Sequence, residues 1–160
     1  MLARRSIDAF HDGRRRGSPW YLIVLAGFAA RGALEGWPAD EVRGWADRLR
    51  YRTIATYRAR AGYTDKPVLG TVAVGLGAWM LHQPGADERG LELIALGERL
   101  SGRQDAPGPS RSRLIDDAEA RVDPHRLAAA RAAAASRTTD ECAERARELI
   151  AAPVPRSARP

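Results

Sequence analysis

The chain has 160 residues, of which 44% are hydrophobic and 29% are charged. This length fits one domain with a sizeable core, and the composition is that of a soluble globular protein rather than a disordered one. Cys142 is the only cysteine, which excludes an internal disulfide and a metal site made of cysteines. A reducing cytoplasm is therefore the expected location.

The basic side chains are almost all arginines. The chain has 26 basic and 20 acidic residues, a formal charge of +6, and because Lys66 is the only lysine, 25 of the basic residues are arginines. Arginine is well suited to phosphate groups and to ion pairs at interfaces. A GC-rich genome produces the same bias towards arginine and alanine, so the net charge alone favours no particular function.

Residues 1–17 are predicted to form a basic flexible arm, since Gly13, Gly17 and five arginines favour a solvated segment. Those arginines are the candidate residues for weak contact with nucleic acid: Arg4, Arg5, Arg14, Arg15 and Arg16. The apolar run 20–30 superficially resembles part of a signal peptide, but it has 11 residues, whereas a membrane-spanning helix needs ~20. The run 68–81 is also too short, so no membrane partner is expected.

Two helices are predicted at the start of a domain that covers residues 18–152. Ser18 and Pro19 fit the cap and first position of a helix that ends near Glu35. The next helix is predicted from Ala39 to about Ala61. Its arginines, including Arg43, Arg48, Arg52, Arg58 and Arg60, spread around much of the circumference at 100° per residue, which predicts a solvated surface.

The stretch 67–102 is predicted to be the central helical hairpin, because it is the longest near-continuous supply of apolar side chains. Trp79 belongs to its first helix, which is apolar on nearly every side, and is expected to be buried near Leu93 and Leu96 of the second. Asp87 is predicted to cap that second helix. The glycines between Gly70 and Gly77 match no phosphate-binding motif and are expected to permit close contact between helices.

Three shorter helices are predicted after a loop at residues 103–112. A short amphipathic helix precedes Asp123, which with Pro124 starts an alanine-rich helix, and Thr138 with Glu141 fits a capping box before the last helix. Residues 153–160 are predicted to be a disordered tail. The chain therefore contains about seven predicted helices, and its fold class is all-α.

An internal repeat is indicated by comparing the two halves of the domain. The segments AGFAARGALEG and PADEVRGWADRL match VGLGAWMLHQ and GADERGLELIALGERL, each pair being a small-residue helix, a break and an Ala-Asp-Glu start. Helix-turn-helix units about 50 residues apart predict stacked antiparallel hairpins of tetratricopeptide-like form, in which each unit buries the apolar face of its neighbour.

No constellation of residues indicates catalysis. His11, His82 and His125 are on separate elements without metal-ligand spacing, and Asp116 with Asp117 point about 100° apart on a helix. Cys142 is on an apolar face and is expected to be a core residue. We therefore predict no enzyme activity, no cofactor, no metal, and no catalytic or cofactor-binding residues.

A resemblance is carried by KPVLGTVAVGLGAWML followed by ERGLELIALGERLSGRQDAPGPSRSRL. These segments resemble the C-terminal helical region of actinomycete transcriptional regulators of the antibiotic regulatory protein (SARP) type, in which an LGAW-like helix precedes an ELLALAERF-like helix. The resemblance covers roughly residues 18–152. Such regulators also have a DNA-binding winged helix, an activation domain and a nucleotide-binding switch module, to which nothing in this sequence corresponds, so no catalytic or base-reading residue is carried over.

The resemblance implies a helical protein-protein interaction or sensory module of, or derived from, a bacterial transcriptional regulator. A protein partner is expected. One alternative is a nucleic-acid-binding helical domain that uses the basic arm together with Arg48, Arg50, Arg52, Arg58 and Arg60. A second alternative is a small membrane-associated protein.

Overall fold

The computed structural model describes residues 19–59, 65–101 and 111–154, and every regular element in these ranges is an α-helix. The seven helices are α1 (Pro19–Leu34), α2 (Ala39–Ala59), α3 (Lys66–Met80), α4 (Asp87–Ser101), α5 (Arg111–Arg121), α6 (Pro124–Ala135) and α7 (Thr139–Ala151). The predicted all-α fold is therefore confirmed. None of these helices is long and apolar enough to span a bilayer.

The helix boundaries follow local chemistry in most places. Gly36, with a φ of 67°, allows the turn after α1, and the side chain of Asp65 accepts a hydrogen bond from the backbone N–H of Val68 at the start of α3. Two boundaries differ from the prediction. Asp87 is the first residue of α4 rather than its cap, and α5 begins at Arg111, so residues 111–112 are helical instead of being part of the loop.

The end of the domain also differs from the predicted tail, which was expected to begin at residue 153. Val154 is buried in the main core cluster, and the carbonyl of Pro153 accepts a hydrogen bond from Arg89. These two residues therefore pack with the helices. The predicted arm 1–17, the cap Ser18, most of the predicted loop and residues 155–160 lie outside the described residues.

Two antiparallel hairpins, α1–α2 and α3–α4, contact each other through α1 and α3. Helix α5 packs on α3, and α6 packs on α4. The last helix, α7, returns to contact α2, α3 and α4, and thus lies between the second helices of the two hairpins. The stacking of the hairpins as tetratricopeptide-like repeats stays a prediction.

Helix α3 is the centre of this arrangement. Between Val68 and Met80 every residue except Thr71 is buried, so α3 is covered on all sides by other helices. Trp79 is fully buried in one core cluster that also contains Leu93 and Leu96, as the sequence predicted. The same cluster draws apolar side chains from α1, α2 and α7, which makes it the main core of the domain.

The backbones of α3 and α4 touch directly at two pairs of glycines. A Cβ added to Gly97 would lie 2.6 Å from the carbonyl oxygen of Gly70, and a Cβ added to Gly77 would lie 2.6 Å from that of Gly90. Each helix places its two glycines seven residues apart, which is close to two helical turns. The predicted role of Gly70 and Gly77 in close helix contact is confirmed.

The first testable prediction concerns Gly97→Ala. The new methyl group would collide with backbone atoms that have little room to move, so we expect a loss of about 1 to 3 kcal/mol in the free energy of unfolding. Gly44→Ala is the matched control, because Gly44 is in the exposed interior of α2 with open space around it. There alanine should stabilise by about 0.4 to 1 kcal/mol. Urea denaturation curves measure the stability of both variants. Equal midpoints for Gly97→Ala and Gly44→Ala would contradict the glycine contact.

The second prediction concerns Trp79→Ala, which empties a fully buried aromatic site in the main core. We expect it to cost about 3 to 5 kcal/mol, enough to unfold a domain of marginal stability. Tyr51→Ala serves as the control, because the Tyr51 side chain is 70% exposed and its removal should change stability by about 0.5 kcal/mol or less. Coincident denaturant midpoints for the Trp79 variant and the unaltered chain would show that this residue does not anchor the core.

Candidate functional site

Two arginines from different helices bind the carboxyl end of α7. From α2, Arg50 donates from Nε to the carbonyl of Ile150 at 2.9 Å and from Nη2 to that of Ala151 at 3.2 Å. From α4, Arg89 donates to the carbonyls of Leu149, Ala152 and Pro153. The last four carbonyls of a helix lack partners within the helix and carry partial negative charge. We call Arg50, Arg89 and the carbonyls of residues 149–153 the carboxyl clasp.

The carboxyl clasp places two positive charges close together in partly buried surroundings. Burial lowers the pKa of the Arg89 guanidinium, and the charge of Arg50 lowers it further. Arg89 nevertheless stays cationic at neutral pH, because the ordinary pKa of arginine is far above 7. The negative end of α7 stabilises the two charges, so the clasp fixes both the position and the direction of that helix.

The other parts of α7 are held by ion pairs and small apolar side chains. Thr138 and Glu141 form the predicted capping box, and Lys66 of α3 is 2.7 Å from Asp140. On the side facing α4, Arg145 donates two hydrogen bonds to Glu92, at 2.8 and 3.0 Å, which raise the pKa of Arg145. The apolar side of α7 is buried through Cys142, Ala143, Ala146, Leu149 and Ile150. The space between α2 and α4 thus accommodates an amphipathic helix.

A second polar cluster joins the end of α3 to α5. His82 Nε2 is 3.0 Å from Asp117 Oδ2, and Asp117 also accepts hydrogen bonds from Nε of Arg121, one turn along α5. Within the described residues His82 makes no hydrogen bond to a hydroxyl or thiol. This contact fastens α5 to the end of α3.

A cleft of about 320 Å³ lies between α2 and α7, close to the carboxyl clasp. Its charged lining residues have both signs: Arg58 from α2, and Glu144, Arg147 and Glu148 from α7. Thr53 and Tyr57 add hydroxyl groups, which donate to the carbonyls of Leu49 and Asp65, respectively. This mixed lining can hold a polar ligand.

The remaining candidate residues do not come together. Among residues 19–59, 65–101 and 111–154, no three His, Cys, Asp or Glu side chains are placed to hold a metal ion. His125 is exposed at the start of α6, far in sequence from the cluster of His82. Cys142 is fully buried, and burial raises the pKa of its thiol, as fits the predicted core role. The arm residues Arg4, Arg5, Arg14, Arg15 and Arg16 and also His11 lie outside the described residues.

Sequence reasoning missed the carboxyl clasp and the pairing of His82 with Asp117. Arg50 is separated from its carbonyl partners by 100 to 102 residues, and His82 is 35 residues from Asp117. Neither pairing produces a local spacing or a motif. The only available signal for Asp117 was its acidic neighbour Asp116, which is exposed and does not take part.

Comparisons with known proteins give no relative for this arrangement. No protein-family model matches the chain, and no curated protein and no solved structure is similar enough to count as a match.

The third prediction tests the carboxyl clasp with Arg89→Met, which keeps an apolar stem and removes three hydrogen bonds to the end of α7. Hydrogen bonds from charged donors contribute about 1.5 to 3 kcal/mol each, and relief from the burial of a charge beside Arg50 offsets part of the loss. We expect a net loss of about 1 to 3 kcal/mol, together with faster amide hydrogen exchange in α7.

The control for this prediction is Arg99→Met, on the same helix as Arg89. Arg99 is exposed and forms no ion pair or hydrogen bond within the described residues. Its replacement should therefore leave the free energy of unfolding and the amide hydrogen exchange of α7 nearly unchanged. If the two variants unfold at the same urea concentration, and if the amides of α7 exchange equally slowly in both, the clasp does not hold that helix.

Proposed function

We propose that the chain is a non-catalytic helical module for protein-protein interaction or sensing, belonging to or derived from a bacterial transcriptional regulator and acting in the cytoplasm. The observation that supports this most is how α7 is bound. An amphipathic helix lies on α2, α3 and α4 with its buried face matched by apolar side chains and its carboxyl end matched by Arg50 and Arg89. This is the chemistry by which helical domains recognise helices of other proteins.

The resemblance of the α3–α4 hairpin to the helical region of antibiotic regulatory proteins supports the same proposal. The regulators that the chain resembles carry these tetratricopeptide-like helices apart from their DNA-binding winged helix. Because α7 of this chain already fills the space between α2 and α4, the proposed partner would use the outer surfaces of the helices.

The distribution of charge favours a protein partner over a nucleic acid for the helical domain. Nine of the 26 basic residues and three of the 20 acidic residues lie outside the described ranges, which leaves 17 of each sign within them. The whole excess of six positive charges therefore belongs to the arm and the other undescribed segments. Binding to a polyanion depends on a local excess of basic side chains, and the described domain has none overall.

The same distribution favours a second candidate function, weak nucleic-acid binding, for the arm alone. Residues 1–17 contain five arginines and only two acidic residues, Asp8 and Asp12. Contacts of this kind are made to phosphates and carry no base sequence information.

The fourth prediction separates the two candidates by deleting residues 1–17. We expect the full chain to bind a fluorescent duplex DNA weakly, with a dissociation constant of about 10⁻⁴ to 10⁻⁶ M at physiological salt and no sequence preference. Deletion should weaken this binding by at least about tenfold while the far-ultraviolet circular dichroism spectrum stays helical. Fluorescence anisotropy at several salt concentrations measures the change.

The opposite result would favour the nucleic-acid alternative. A shortened chain that keeps its affinity for duplex DNA, and prefers one sequence over a scrambled one, would overturn the interaction module as the first choice. A duplex carrying the same bases in shuffled order is the control for sequence preference.

A further inference from the structure

The arginines of the described residues divide into those with a partner and those without one. Most form an ion pair or hydrogen bond, as Arg31 does with Glu35 and Arg121 does with Asp117, each four residues away in the sequence. Four form neither within the part of the chain that the structure describes: Arg48, Arg52 and Arg58 on α2, and Arg99 on α4. Three of the four arginines without a partner thus belong to one helix.

These three arginines share one side of α2, although the larger predicted set, which also contains Arg43, spreads around the helix. At 100° per residue, Arg48, Tyr51, Arg52 and Arg58 lie within about 120° of the circumference. The opposite side of the helix is buried through residues such as Ala46 and Thr53. We call Arg48, Tyr51, Arg52 and Arg58 the α2 basic face.

The aromatic member of the α2 basic face is unusually exposed. The side chain of Tyr51 is 70% exposed, and beside it the guanidinium of Arg48 lies over the ring of Trp45, 5.2 Å from the ring centroid. That cation-π contact holds the Arg48 guanidinium near the surface without neutralising it. Exposed tyrosine beside arginine is the combination enriched at the energetic centres of protein interfaces.

No acidic residue lies between Asp47 and Asp65 in the sequence. Neighbouring turns of α2 therefore supply no carboxylate to Arg48 or Arg52, and Asp47 itself pairs with Arg50. At the far end of the face, Arg58 lines the cleft whose other wall carries Glu144 and Glu148. The part of the face with no carboxylate opposite it is centred on Arg48, Tyr51 and Arg52.

We propose that the α2 basic face docks an acidic segment of a partner protein, with carboxylates on Arg48 and Arg52 and an apolar or aromatic side chain against Tyr51. The planar guanidinium matches a carboxylate with two parallel hydrogen bonds. This proposal rests on the proposed function, because it takes the partner to be a protein and names the chemistry of its contact.

The size of the face favours an acidic protein segment over a nucleic acid. From Arg48 to Arg58 the helix rises about 15 Å, a length that a few residues of extended peptide cover. Three guanidinium groups on a domain of zero formal charge are fewer than the six to ten phosphate contacts typical of proteins that bind duplex DNA. Charge complementarity therefore selects a short acidic segment.

The test uses the full chain and a fluorescein-labelled peptide of glutamates with one phenylalanine, measured by fluorescence anisotropy. The double variant Arg48→Gln/Arg52→Gln should bind this peptide about tenfold more weakly, and Tyr51→Ala several-fold more weakly. The matched control is Arg31→Gln/Arg121→Gln, which removes the same charge from exposed arginines that already have acidic partners. That control should change the affinity by less than about twofold.

Each other outcome would overturn the proposal. Equal losses in the two double variants would mean that the peptide responds to net charge alone, and no binding by the unaltered chain would mean that the face does not take acidic segments. A labelled polyuridylate that binds more tightly than the peptide, and is released by Arg48→Gln/Arg52→Gln, would assign the face to nucleic acid. The interaction module itself is tested separately by the duplex DNA experiment, since a partner on another surface would survive failure here.

Discussion

The direct contact between the backbones of α3 and α4 is the constraint on which the other helix positions depend. Two glycine pairs, Gly70 with Gly97 and Gly77 with Gly90, remove the side chains that normally keep helix axes 8 to 10 Å apart. Gly75 does the same on another side of α3, where an added Cβ would lie 2.9 Å from the carbonyl oxygen of Ala26 in α1. Because glycines replace larger side chains on two sides of α3, neighbouring helices can approach its backbone closely. Four helices pack against it, α1, α4, α5 and α7, and its residues are buried almost without interruption.

The docking of α7 completes the domain by a different kind of interaction. Its buried side chains are mostly small, so apolar contact alone gives little resistance to sliding or to reversal of the helix. The polar contacts provide that resistance, since Lys66 of α3 pairs with Asp140 near the start of α7 and the carbonyls bound by Arg50 and Arg89 lie at its end. The surface made by α2 and α4 therefore distinguishes the two ends of α7.

The sequence predicted the features that depend on neighbouring residues. Helical spacing and capping signals gave seven helices, the central role of α3, the burial of Trp79 and the close contact of its glycines. The features that it did not predict join distant segments through long side chains. Arg50 reaches carbonyls of α7, and His82 reaches Asp117, without any spacing that marks these partners. The packing of Val154 has the same origin, because contact with the main core cluster extends order into a segment whose composition indicates a tail.

The roles of the arginines follow from their positions in the structure and not from their number. As a number, 25 arginines are compatible with the bias of a GC-rich genome and favour neither phosphate nor protein as a partner. Once each side chain has a position, the arginines within the domain divide by function: Arg145 and Arg131 join helices through Glu92 and Glu98, and Arg50 with Arg89 orients α7. Arg48, Arg52 and Arg58 on α2 form no ion pair or hydrogen bond within the described residues, and a carboxylate from another chain is the group that would neutralise Arg48 and Arg52.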